Sequence, residues 1–328
     1  MRTTRRTLLS TAALLPAAAR AQPAAAPPAW SPDRPVTFLG PYAAGGSFDL
    51  TQRALARGME PVLGQPVAVL NRPGAGGTIM LGELARSRPD GQTIGLLSVN
   101  TNAVAPQLQD LAFDPVQDFT PFLAYGSFIT FVVVRRDAPF GGLRDMMQFA
   151  RREPGRLSIG VASIGANSHL NMARLTAQEE VEVIFVPFTG GAPASTALLG
   201  GHIHCAVVSG EILPSVRDGS LRILAVLNDR RAPEFPDVPT LLDLGYGWAS
   251  RPWLAVGGPK GLPAPVVARH VDAMDQAMRT EHFTKVMSDL AILPMRLPPE
   301  ETAAMMAESL AEHERIARSI RIGRFAPR

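Results

Sequence analysis

One cysteine, Cys205, stands in a chain of 328 residues. No internal disulfide is possible, so stability has to come from a buried core, and about 300 residues suffice for one large domain or two ordinary ones. Aromatic residues make up only 6% of the chain, with three tyrosines, and no block of lysine and arginine occurs. A nucleic-acid-binding role therefore lacks both its electrostatic footprint and its stacking residues. The formal charge of +3 does not alter this, because residues 1–21 hold four arginines and no acids; removing four positive charges takes +3 to −1. A long apolar run is missing too. A membrane span needs roughly 18 consecutive apolar residues, and the one candidate, Leu8–Ala19, is interrupted by Pro16 and followed by Arg20.

What the N-terminus does contain is the pattern of an export signal. Arg2, Arg5 and Arg6 form a basic start, Leu8–Ala19 a short apolar core, and Ala19-Arg20-Ala21 an A-x-A-like cleavage site. Arg5-Arg6 followed by Thr7-Leu8-Leu9 adds a twin-arginine character. Residues 1–21 are predicted to be a cleaved signal peptide and residues 22–32, rich in Ala and Pro, a flexible leader. No lipoprotein cysteine stands directly after the signal, so a lipid anchor is not expected. The mature product is predicted to be a soluble, periplasmic monomer.

Beyond residue 33, short β-branched runs alternate with amphipathic stretches. Strands are predicted at Val36–Gly40, Val67–Leu70, Thr93–Val99, Phe128–Val134, Leu157–Val161, Val183–Val186, Cys205–Val208, Ile223–Val226 and Trp253–Val256. Helices are predicted near Asp49–Met59, Ile79–Arg86, Leu143–Arg151, Asn171–Ala177, Ala192–Leu199 and Glu211–Asp218. This alternation points to an α/β fold with mixed, mostly parallel sheets covered on both faces. Nine strands exceed what one compact lobe needs. The C-terminal part is helical, with Val267, Val271, Met274 and Met278 on one stripe and a second helix from Pro298. Glycine-containing passages at 135–142 and 244–248 bracket a βα-rich block, as an inserted lobe would require. The predicted division is lobe I from 33–130 and 252–328, lobe II from 131–251, and a hinge where the chain crosses.

Three strand-to-helix turns carry the chemistry. The first, Gly40 to Asp49, is spaced like a phosphate loop but has Gly46 where the lysine must stand, which excludes a nucleoside triphosphate. What remains is a turn with open backbone N–H groups at a helix N-terminus, a site for a small anion such as a carboxylate. A purely structural βα turn is the other reading. The second, Asn71 to Thr78, has Ile79 where a dinucleotide fingerprint needs glycine, and it reads as a structural turn. The third, Ser163 to His169, again sets hydroxyls and amides at a helix start, and two such N-termini on one anion suit carboxylate capture.

Enzyme signatures are weak. Ser163 has Val161 two residues before it and Ser209 has Val207, so neither is a nucleophile elbow. Cys205 sits in an apolar strand run, where a buried inert thiol is expected. His202 and His204 make an H-x-H pair without the third and fourth ligands that zinc requires. No metal and no cofactor are predicted. His169 is either a hydrogen-bond donor to ligand or a capping residue.

Taken in order, several strings resemble the Bug-type, or TctC-like, substrate-binding proteins of tripartite tricarboxylate transporters. They are Pro41 to Asp49, Asn71 to Gly77, Pro89-Asp90-Gly91-Gln92-Thr93, Ser163 to Leu170, Val186 to Ala194, Leu199-Gly200-Gly201-His202 and Phe235 to Thr240. The resemblance implies a two-lobed, type II periplasmic-binding-protein fold that closes over its ligand. It implies a carboxylate held by Tyr42, Ala44, Gly45, Gly46, Ser47 and Asp49 of the first turn and by Ser163, Gly165, Ser168 and His169 of the third. Ser98, Asn100, Thr101, Phe188, Thr189, Gly190 and Ser209 are expected to line the same cleft. It also implies membrane permease subunits as partners and no enzymatic activity. A sensor component, or a hydrolase or transferase acting on a carboxylate, is the alternative. Three departures stand out: Ala43 replaces a usual proline, His204 a usual acid, and the Ser209-Gly210-Glu211 turn is atypical. His204, if close to the cleft, would favour an extra carboxylate on the ligand.

Overall fold

Val36–Gly40 (β1) is buried along nearly its whole length, as a strand covered on both faces must be. Its side chains alternate: Val36 and Phe38 enter one core, Leu39 another. The same alternation recurs in Phe131–Arg135 (β5), where Val132 and Val134 face one core and Phe131 and Val133 the other. Two sheets, each with two covered faces, follow. The computed structural model describes residues 30–327; the predicted signal peptide and residues 22–29 of the leader lie outside them.

The first sheet has six strands in the order β11-β4-β10-β3-β1-β2. Besides β1 these are Val67–Asn71 (β2), Thr93–Ser98 (β3), Phe119–Phe128 (β4), Leu254–Pro259 (β10) and Ile292–Leu297 (β11). Helices Ser47–Leu63 (α1), Ala264–Ala277 (α8) and Glu281–Asp289 (α9) cover one face. Thr78–Ala85 (α2), the short Ala105–Leu108 (α3) and Pro299–Ser319 (α10) cover the other. The second sheet has the order β7-β6-β8-β5-β9, with Ser158–Val161 (β6), Ile184–Pro187 (β7), Cys205–Val208 (β8) and Leu221–Val226 (β9) beside β5. Leu143–Arg152 (α4) and Asn167–Gln178 (α5) pack on one side, Gly191–Leu199 (α6) and Leu213–Arg217 (α7) on the other.

Among the strands of the described residues, parallel pairing joins β2-β1-β3 and β7-β6-β8, with isolated parallel bridges at Val226–Thr240 and Asn228–Ser250. The pairs made by β4, β5, β10 and β11 are antiparallel, so the sheets are more evenly mixed than strand–helix alternation suggests. Strands arriving from the other lobe need no right-handed crossover and are free to run either way.

The expected strand Phe128–Val134 is split: Phe128 ends β4 in one sheet, Phe131 opens β5 in the other, and the chain crosses at Ile129 and Thr130. It returns near Arg251 and Pro252, between a bridge at Ser250 and β10. The passage at 135–142 instead leads into α4, and Tyr246 and Trp248 pack into the second sheet's core. Two strands were hidden by proline. Pro121 in β4 is accommodated at a register shift opposite Gly257, and Pro294 lies in β11, an edge strand.

Candidate functional site

In both sheets the parallel triplet ends on one edge, and the expected site residues lie at those carboxyl ends, Ser98 as the last residue of β3 and the others in the turns beyond. Crevices at the carboxyl ends of parallel strands are the usual ligand positions in α/β folds. The two edges meet: the Asn167 backbone N–H, at the start of α5, donates to Asn100 Oδ1 of the first lobe at 3.0 Å. Gly165 has φ 77° and packs on Leu108 so closely that a β-carbon would strike its Cδ1; only glycine meets both demands.

The first turn leaves α1 without a side-chain N-cap, so its leading N–H groups are unsatisfied within the helix. Ala44, Gly45 and Gly46 are exposed, with Ser47 half-buried behind them. Asp49 points inward instead. It is 2% exposed, and its Oδ2 accepts from Gly45 N at 2.8 Å and Arg53 Nε at 2.9 Å. Burial raises its pKa, but the bonds from Arg53 and Gly45 outweigh this and leave it below the usual carboxylate range. Asp49 therefore braces the turn.

Tyr42 packs at a tilt against Phe48, with ring centroids 4.5 Å apart, and Phe48 against Phe128 at 4.9 Å. Burial pushes the Tyr42 hydroxyl up to about 12, against the lowering effect of hydrogen bonds with Asn100 and Ser98. It stays protonated and able to donate. Ser98 and Thr101 are fully buried and cap each other: Thr101 N donates to Ser98 Oγ at 3.3 Å and Ser98 N to Thr101 Oγ1 at 3.2 Å. They hold up the turn from below, while Asn100 reaches the opposite lobe.

The third turn is closed by His169, whose Nδ1 accepts from Gly165 N at 3.1 Å. Its ring meets Phe185 edge-on at 4.7 Å. Burial lowers its pKa, so the neutral ring carries its proton on Nε2. Ser163 is exposed and Ser168 half-buried on the same turn. In the second lobe Phe188, Thr189 and Gly190 lead into α6, whose N-terminus also lacks a side-chain cap. Ser209 follows β8 on the same edge.

His204 is not near this edge. It precedes β8, is exposed, and its Nδ1 lies 2.6 Å from Ser158 Oγ. At about 3.3 Å per strand residue it stands roughly 15 Å from Ser209, which overturns its expected influence on a second ligand carboxylate. His202 is exposed in the preceding turn, and among the described residues no three His, Cys, Asp or Glu side chains gather as a metal site would need. Cys205 is fully buried, and desolvation pushes its thiol up to about 12.

A polar network that the sequence reading missed joins the lobes. Asn167 Nδ2 and Asn171 Nδ2 reach Ser250 Oγ at 3.1 and 2.8 Å. His313 of α10 bridges Ser309 O at 2.8 Å and Asn167 Oδ1 at 3.0 Å. His313 is held neutral by burial, so if its Nδ1–H donates to Ser309, its Nε2 is an acceptor. The Asn167 carboxamide must then turn its nitrogen to His313 and its oxygen to the Ser250 hydroxyl. Asn167 lies inside the quoted third turn; His313, 146 residues away, gave no local signal. A separate apolar cavity of about 340 Å³ opens between the Ile129 crossing, Phe235, Met287 and Leu293, and none of the expected site residues line it.

A family model described as "Tripartite tricarboxylate transporter family receptor" matches residues 51–322. The chain is similar to the "UPF0065 protein in gbd 5'region" of Cupriavidus necator, 30% identical over 90% of each chain. Among solved structures it is similar to periplasmic binding protein BugD, at 29% identity and TM-score 0.79 over 89% of this chain and 99% of the other. It is also similar to MatC (Rpa3494) of Rhodopseudomonas palustris with bound malate, at 28% identity and TM-score 0.78 over 87% and 99% of the two chains. Rpa4515 of R. palustris with adipate shares 26% identity and a TM-score of 0.81 over 89% and 99%.

Proposed function

Because this chain belongs to the tripartite tricarboxylate transporter receptor family, we propose that it captures a small carboxylate between its two lobes. The receptor works outside the cytoplasm after export, presents its closed form to membrane permease subunits, and releases the ligand unchanged. The observation that carries this reading is the pair of helix N-termini, α1 and α5, on facing edges of one seam, neither capped by the side chain of its own N-cap residue. Such N-termini stabilise an anion through free N–H groups and the helix dipole. Relatives of the same fold hold malate and adipate, which supports a carboxylate here.

Gly46, Ser47, Ser163 and Ser168 supply main-chain and hydroxyl donors, Tyr42 a neutral phenol, and Asn100 a carboxamide that senses the opposite lobe. Asp49, Ser98, Thr101, Gly165 and His169 fix the shape of the turns rather than meeting ligand. Closure of the lobes removes the carboxylate from bulk water, where charge-assisted hydrogen bonds are stronger.

The test is a thermal-shift panel of mono-, di- and tricarboxylates, amino acids and aromatic acids on protein unfolded and refolded to strip co-purified ligand. A ligand at about 100 times its Kd should add roughly 2.7 kcal/mol. A rise with one carboxylate class, recovered intact after incubation, is expected. No shift with any carboxylate, or conversion of the compound, overturns the reading.

A further inference from the structure

The Ser209-Gly210-Glu211 turn places an acid at the N-terminus of α6, the third such terminus on this edge. Glu211 follows Ser209 beyond the carboxyl end of β8, and its side chain folds over the start of α6, beside the Thr189–Gly190 turn. The approach is so close that a β-carbon on Gly191 would fall on Glu211 Oε1; glycine is required there by contact rather than by its backbone angle. α6 has nine residues and no side-chain cap, so its N-terminus would otherwise be open to an anion.

Among the described residues the carboxyl group forms no ion pair. Burial raises its pKa, and only the backbone N–H groups of Glu211 and Ser209 work against that rise. Each arginine and lysine that forms an ion pair among the described residues pairs elsewhere; the nearest basic side chain along the chain, Arg217, is engaged by Glu234. A partly buried carboxyl without a counter-ion favours a cation or a hydrogen-bond donor and opposes a second anion.

Resting on the carboxylate-receptor reading, we infer that Glu211 occupies the position a second ligand carboxylate would need. The receptor therefore takes a monocarboxylate whose far end is neutral or, best, a primary ammonium, and rejects the corresponding diacid. Glu211 is a specificity residue, distinct from the α1 and α5 turns that hold the first carboxylate. A second carboxylate set against it meets a like charge or forces Glu211 to take up a proton, and either costs about tenfold in affinity.

The test uses calorimetric titration of the stripped receptor with three probes at each of two lengths: butyrate, succinate and 4-aminobutanoate, then hexanoate, adipate and 6-aminohexanoate. Wild type should bind the amino acid or the monoacid at least about tenfold more tightly than the diacid of equal length. Glu211→Gln should erase that preference by improving the diacid and weakening the amino acid, with the monoacid little changed. Gly191→Ala, which displaces the carboxyl through its β-carbon, should move selectivity in the same direction. A wild-type preference for the diacid, a preference unchanged in both variants, or binding of none of the six while another carboxylate binds in the thermal-shift panel overturns this inference alone. Failure of every carboxylate in that panel overturns the receptor reading and this inference with it.

Discussion

His270 shows how much a single residue of this chain depends on pH. It is fully buried on α8, stacked flat on Phe122 with ring centroids 4.8 Å apart, and its Nε2 lies 3.0 Å from the Gly91 carbonyl. Desolvation lowers its pKa from 6.5 to about 4, with the Gly91 bond acting weakly the other way. The depressed value sets the direction: above about 6.5 the ring is neutral whether folded or not, and below it the unfolded chain takes up a proton the folded chain refuses. Stability is therefore whole above pH 6.5 and is lost as pH falls toward 4, by roughly 3 kcal/mol from this residue. His169 and His313, also lowered by burial, add in the same direction. His270→Gln should lower stability at pH 7.5 yet flatten the melting temperature between pH 6.5 and 4.5; an undiminished slope would assign the pH dependence to other groups.

At the scale of elements, the N-terminus of α5 is the point where the lobes communicate. Its backbone reaches Asn100, and its Asn167 and Asn171 side chains reach Ser250, with His313 closing the cluster. Asn167→Ala leaves the His313 ring nitrogen and part of the Ser250 hydroxyl without partners. It should cost about 1–3 kcal/mol, read by urea unfolding at pH 7.5; a loss under about 0.5 kcal/mol would mean that water replaces the carboxamide at no cost.

The turns were legible in the sequence because their glycines and hydroxyls sit within a few residues of one another and have no use in a helix or strand interior. Strands such as Val36–Gly40 and Cys205–Val208, buried on both faces, were legible as continuous apolar runs. Less local features were not. The roles of Ser98 and Thr101 depend on which way their hydroxyls turn, and β11 exists only because β4 lies beside it. The short helix α9 follows α8 with only three residues between, and its Thr280 cap is visible only once the break is known.

For the molecule as a whole, Asn228 ties the two crossings between lobes together. Asn228 is 2% exposed; it accepts from Thr130 N at 2.9 Å and donates to Phe128 O at 2.8 Å, and its backbone bridges to Ser250 on the returning strand. It thus touches both passages. Asn228→Ala should leave the two backbone groups unpaired, costing about 1–3 kcal/mol. It should also enlarge the average radius of gyration in small-angle scattering without ligand. Wild type should contract when a bound carboxylate is added; identical scattering curves for both proteins, with and without ligand, would argue for a rigid body and against closure.

The placement of β10 has a consequence for how the chain is made. β10 lies between β3 and β4, pairing with Ser98 on one side and Gly126 on the other through Leu254. The five strands of the second sheet fall within residues 131–226. A nascent polypeptide leaving the ribosome can complete that inner sheet while the outer one is still two separate pieces with bare edges. Those edges wait for more than 120 further residues and are open throughout to mispairing between neighbouring chains. A receptor built this way carries that hazard until β10 is made, and its last-made part, not its first, decides when the whole is safe.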